Sequence, residues 1–118
     1  MARVIVVDDS PIVRTLVSAS LTEEGHEVLE AEDGQVFLDM TQHDTFDAIL
    51  LDIMMPVKNG VDALREFRSR GDETPVIVIT SKNEATLSDV FEGLQVAVYM
   101  VKPLSPESLV KSINSLCG

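Results

Sequence analysis

The chain has one cysteine, no tryptophan and a single tyrosine, Tyr99, among its 118 residues. With Cys117 alone there is no intramolecular disulfide, and the composition suits a reducing cytoplasm. His26 and His43 stand far apart with no Cys/His cluster beside either, which argues against a zinc site. No apolar run approaches the roughly 18–20 residues that cross a bilayer, so no membrane association is expected. Met1-Ala2-Arg3 leads at once into a strand-like run, so no signal peptide is expected either. Linkers, repeats and low-complexity stretches are missing, which predicts one domain over residues 1–118. Positive charge is scarce as well: nine Lys+Arg against twenty Asp+Glu, a formal net charge of −11. A nucleic-acid partner, itself a polyanion, is therefore not expected.

The shortage of bases is uneven. Residues 1–57 carry twelve acids against two bases, Arg3 and Arg14, whereas residues 58–118 carry eight acids and seven bases. Most of these acids are expected to form a solvated face. Asp8 and Asp9 are different, because they follow directly on a fully apolar run.

Four such runs are present: Val4-Ile5-Val6-Val7, Ala48-Ile49-Leu50-Leu51, Val76-Ile77-Val78-Ile79 and Val96 to Val101. They are continuous and rich in β-branched residues, the pattern of strands buried on both faces of a parallel sheet. Glu27-Val28-Leu29-Glu30-Ala31 mixes acids with apolar residues and reads as an edge strand. Between the strands the spacing is helical. Ser10-Pro11 supplies an N-cap and a first-turn proline, Val13, Leu16, Val17 and Leu21 follow, and Gly25 is the stop. Val36 to Met40 predicts a second helix, and Asn59-Gly60 opens a third that Gly71 closes. Leu87, Val90, Phe91 and Leu94 predict a fourth, and Leu109, Val110, Ile113 and Leu116 a fifth. The pattern is (βα)₅, an α/β doubly wound parallel sheet with helices on both faces.

Parallel strands bring their carboxyl ends to one edge, where ligands of such folds bind. Strand one ends in Asp8-Asp9, strand three in Asp52, strand four in Thr80-Ser81 and strand five in Lys102-Pro103. Each of these alone is an ordinary cap, turn former or surface lysine. Together they place three carboxylates, two hydroxyls and an ammonium on one patch. Three crowded anions repel one another, so either a carboxyl keeps its proton or a hard cation binds. Mg²⁺, which favours a few carboxylates, waters and phosphate oxygens, matches the set, as would Mn²⁺ in its place. Lys102 adds a compact cation for phosphate oxygens, and Thr80 and Ser81 add hydroxyl donors.

Across essentially its whole length the chain resembles the bacterial two-component response-regulator receiver domains, particularly short, single-domain chemotaxis CheY-like members. The marks are Val-Asp-Asp-Ser-Pro (7–11), Leu-Leu-Asp-Ile-Met-Met-Pro (50–56) with Gly60, Ile-Thr-Ser-Lys (79–82) and Tyr-Met-Val-Lys-Pro-Leu (99–104). The resemblance implies a flavodoxin-like strand order 2-1-3-4-5 and a phosphorelay role rather than that of an enzyme. Asp52 would be the phosphoacceptor, taking a phosphoryl group from a histidine kinase. Asp9, Asp52, Asp8 (directly or through water) and the Met54 backbone carbonyl would hold Mg²⁺. Lys102 would pair with the phosphoryl group, Thr80 would swing toward it, and Tyr99 would turn inward on activation. The Lys102-Pro103 bond would be cis. A downstream target would dock on the face of the fourth helix, fifth strand and fifth helix, and the chain would be a monomer or a phosphorylation-dependent dimer.

The chain also departs from that family. Gln95 occupies a place where glycine is usual, so a differently shaped loop is expected there. Met54 and Lys82 stand at the places that tune phosphate lifetime, and a thioether and a cation there predict slow self-hydrolysis. A haloacid-dehalogenase-like phosphotransferase would have its nucleophile after strand one, with a second aspartate two residues on; here the two are adjacent. A flavodoxin-like electron carrier would have a hydroxyl- and glycine-rich loop where Asp8-Asp9-Ser10-Pro11 stands. A phosphorylation-independent docking receiver would lack pocket residues that this chain retains.

Overall fold

Among the described residues, helices follow the first, second, third and fifth of five strands of five or six residues, and in each strand successive side chains enter opposite faces of the sheet. The structure, a computed structural model, describes residues 2–53, 59–80 and 91–117. The strands are β1 (Arg3–Val7), β2 (Glu27–Ala31), β3 (Ala48–Asp52), β4 (Val76–Thr80) and β5 (Val96–Val101). All pair in parallel, in the order β2-β1-β3-β4-β5. The described helices are α1 (Pro11–Glu23), α2 (Gly34–His43), α3 (Gly60–Ser69) and α4 (Pro106–Cys117). The last of these is the fifth helix of the sequence pattern. The predicted fourth lies outside the described residues, save for Phe91 and Leu94, which are buried in a turn before β5.

Two apolar cores lie on the two faces of the sheet. Ile5, Val7, Ile49, Leu51, Val76 and Val78 face Phe37 and Leu38 of α2 and Leu64 and Phe67 of α3. Val4, Val6, Leu50, Ile77 and Ile79 face Val17 and Leu21 of α1 and Leu109 and Ile113 of α4. Burying one such large aliphatic side chain is worth about 1.5–3 kcal/mol, so these faces drive the fold. Phe37 and Phe67 meet at 5.1 Å between ring centroids, tying α2 to α3.

Local chemistry places the helix ends. Ser10 Oγ accepts from the Val13 N–H with Pro11 in the first turn, Asp33 caps α2, and Asn59 caps α3 through the Asp62 N–H. Gly25 and Gly71 follow α1 and α3 with φ of 87° and 85°, in the left-handed region where glycine is the natural residue.

Two expectations are corrected. The apolar run of β5 suggests burial on both faces, yet β5 is an edge strand, half exposed, with Val101 51% exposed. Its position in the sheet order, which composition does not encode, decides this. Arg65, Arg68 and Arg70 read from the sequence as one solvated face; Arg68 departs from it, being half-buried, while Arg70 stays exposed. Arg68 donates to the carbonyls of Asp72 (2.9 Å) and Leu94 (3.0 Å), and Arg70 to Leu38 O and Thr41 Oγ1. Arg65, exposed like Arg70, stands 3.9 Å from Asp62. Gln95 itself has φ 57°, in the left-handed region that non-glycine residues seldom adopt.

Candidate metal and phosphoryl site

β1 and β3 are neighbours in register, Val7 opposite Leu51, so the residues that follow them emerge together at the carboxyl edge. Asp8, Asp9 and Asp52 each bring a carboxylate oxygen within 4.8 Å of the others. Asp8 is 0% exposed and Asp52 3%, whereas Asp9 is open to solvent. From the far side of β4, Lys102 reaches back. Its Nζ lies 3.2 Å from Asp8 Oδ2 and 3.4 Å from Asp52 Oδ2. Burial pulls the Lys102 ammonium toward a lower pKa, but the carboxylates of Asp52 and Asp8 outweigh it and hold the pKa above the usual lysine value.

Asp8 is pinned on every side. Its N–H donates to Ala31 O at 3.1 Å, and its Oδ1 accepts from the Ser10 N–H at 2.8 Å. Oδ2 is buried and receives no directed hydrogen bond, so its contact with Lys102 is charge against charge. Thr80, 0% exposed, closes the fourth strand, and its carbonyl accepts the Lys102 N–H at 2.7 Å. Lys102–Pro103 is cis. The start of α3 presses on the same place. A Cβ on Gly60 would stand 2.5 Å from the Asp52 carbonyl oxygen and 2.8 Å from Ile53 Cα.

Three carboxylates against one ammonium leave two formal negative charges in a largely buried cluster. Oxygen ligands, a buried carboxylate oxygen lacking a hydrogen-bond donor and a deficit of two charges fit a hard divalent cation. Mg²⁺ or Mn²⁺ would be held by Asp8, Asp9 and Asp52. Met54 and Ser81 lie outside the described residues, as does Lys82. Tyr99 sits in β5, half-buried, its ring edge-on to Phe91 with centroids 6.1 Å apart. It lies on the strand that leads into Lys102, not in the carboxylate cluster.

Sequence reasoning missed Arg14. Its Nη1 donates to the Asp8 carbonyl at 2.6 Å and its Nε to Glu30 Oε1 at 3.2 Å. The available signal was its rarity as one of two bases in the acidic half. His26 was also missed as a structural group. Its Nδ1 accepts from the Ala2 N–H and its Nε2 meets Asn114 Oδ1, both at 2.9 Å.

Comparison with known proteins agrees with this fold. Residues 4–114 match the model of the response regulator receiver domain. Protein PilH of Pseudomonas aeruginosa is 35% identical over 118 residues, covering 98% of both chains. Chemotaxis protein CheY4 of Vibrio cholerae superposes with a TM-score of 0.92 at 32% identity, over 98% of each chain. Response regulator TrrA of Thermotoga maritima, solved with Mg²⁺ and BeF, superposes at 0.87 with 29% identity, over 98% of this chain and 99% of that one. Against several other curated relatives, 36–37% identical, the chain spans about half their length (49–50%).

Proposed function

The chain belongs to the response regulator receiver domain family of two-component signalling, and from that premise we propose that it is a Mg²⁺-dependent switch phosphorylated on Asp52. The observation that carries this is the placement of Asp52: a 3%-exposed carboxylate within 4.8 Å of Asp8 and Asp9, with the Lys102 ammonium at 3.4 Å.

An Asp52 carboxylate oxygen attacks the phosphorus of a phosphohistidine on a histidine kinase. The P–N bond breaks, its electron pair leaves with the imidazole, and an acyl phosphate forms. Such a transfer needs positioning and charge neutralisation more than covalent chemistry. A bound Mg²⁺ or Mn²⁺ supplies charge neutralisation and phosphate-oxygen coordination, with the Met54 carbonyl completing the protein's ligands. Lys102 moves from its carboxylate partners onto the phosphoryl oxygens, and the Thr80 and Ser81 hydroxyls donate to them. Thr80 and Tyr99 then rearrange, and a downstream target reads the face formed by β5, α4 and the segment before β5. The protein catalyses only its own phosphorylation and dephosphorylation and acts in the cytoplasm. No described helix is long and apolar enough to cross a membrane.

Incubation with acetyl phosphate and Mg²⁺, followed by intact mass measurement, tests the reading. The expected gain is about 80 Da, one phosphoryl group, absent in Asp52→Asn. No gain, or a gain that persists in Asp52→Asn, would leave a docking receiver or another nucleophile.

A further inference from the structure

Asp9 poses a problem that Asp8 and Asp52 do not. It is exposed, so packing does not hold its side chain, yet Mg²⁺ demands near-ideal octahedral geometry at about 2.1 Å. The precision has to come from its backbone. Both peptide units that flank Asp9 are tied. The Ser10 N–H donates to Asp8 Oδ1 at 2.8 Å, and the Asp8 carbonyl accepts from Arg14 Nη1 at 2.6 Å.

The guanidinium is itself held. Arg14 Nε donates to Glu30 Oε1 at 3.2 Å, and the other oxygen of Glu30 accepts from Ser18 Oγ at 3.2 Å. α1 and the edge strand β2 thus grip one planar group and aim it at the end of β1. An arginine is suited to this, because its rigid planar fork holds a carboxylate and a carbonyl in one fixed geometry, whereas a lysine offers a point charge on a flexible stem. Glu30 also cancels the positive charge that Arg14 would otherwise set beside the metal ligands.

We propose that Arg14 is a positioning residue for the divalent cation: locked by Glu30 and Ser18, it fixes the Asp8–Asp9 peptide and so places the exposed Asp9 carboxylate. The inference rests on the metal site proposed above. It makes a prediction opposite in sign to simple electrostatics. Removing a cation from the border of an acidic cluster should tighten a divalent metal; removing a positioning group should loosen it.

The test is Mg²⁺ binding by calorimetry on the unphosphorylated protein, with amide hydrogen exchange read beside it. Arg14→Met and Arg14→Lys should both bind Mg²⁺ more weakly, on the order of tenfold, the scale for partners that orient metal ligands. Exchange at the Asp9 and Ser10 amides should quicken, while the β1 amides from Val4 to Val7 stay protected. Arg14→Lys keeps the charge and the aliphatic stem, and so carries the test if Arg14→Met folds poorly. Mg²⁺ binding in Arg14→Met equal to or tighter than wild type, or unchanged binding in Arg14→Lys, overturns the inference. Failure of the wild type itself to bind Mg²⁺ overturns the metal-site reading, and the inference falls with it.

Discussion

The two ends of the sheet solve the same problem in different ways. At the amino end of the strands, acids crowd around Arg3. Its side chain meets Glu27 at 2.9 Å, Asp44 at 3.3 Å and the Thr45 carbonyl at 3.0 Å, and lies 4.9 Å from the centre of the Phe46 ring. The Arg3 backbone N–H satisfies Asp47 at 2.7 Å. That end is complete in itself. At the carboxyl end three carboxylates cluster, two of them, Asp8 and Asp52, share Lys102, and a buried oxygen of Asp8 lacks a hydrogen-bond donor. One end uses charge to hold the fold; the other carries a net negative charge, the setting that the proposed cation would need.

Substitutions at the two ends should separate them. The largest effect is expected from Gly60→Ala, where the new Cβ would collide with backbone of Asp52 and Ile53 that has little room to yield. A loss of about 3 kcal/mol in urea unfolding, with weakened Mg²⁺ binding, is the expected outcome; a neutral result would show the carboxyl end to be pliant. Next is Lys102→Met, which leaves Asp8 and Asp52 without their cation. Lys102 is partly exposed, so the loss in metal-free buffer should be about 2 kcal/mol, below the range for a fully buried pair, and saturating Mg²⁺ should restore most of it. The Lys102 contribution is fully present below the ordinary lysine pKa and fades as pH climbs through its raised folded value.

Arg3→Met should destabilise the fold less than Lys102→Met does, and equally with and without Mg²⁺ in urea unfolding. A cost that Mg²⁺ changes would erase the distinction between the ends. The smallest effect has the opposite sign. Asp52→Asn removes one charge from the uncompensated cluster, so metal-free melting temperature should rise, by roughly 4 °C for about 1 kcal/mol. An equal or lower melting temperature would mean that the carboxyl end is not strained by its charge.

Much of this contrast is legible from residue order. Parallel strands must deliver Asp8, Asp9, Asp52, Thr80 and Lys102 to one edge, and the described residues among them meet there, because strand direction is a local consequence of crossover length. What order in the sheet decides is not legible: β5 reads like β4, yet it lies at the border and is half exposed. Nor is side-chain reach. Arg68 and Arg70 sit at helical spacings typical of a wet surface, but their long stems carry the guanidinium groups to carbonyls of other segments. Lys102 was expected to serve phosphate oxygens; its shorter contact, to Asp8, follows from a backbone tie to Thr80 that sequence does not reveal. His26 is invisible for the same reason, since Asn114 lies far along the chain.

That Tyr99 is the single tyrosine of the chain has an optical consequence. With no tryptophan in the chain, tyrosine emission comes from one ring, edge-on to Phe91 and on the strand that leads into Lys102 three residues later. The protein carries its own label, placed by the fold on the strand that the proposed switch would move. A spectrum of the untouched chain reports on that strand alone, with no dye and no substitution to confuse it.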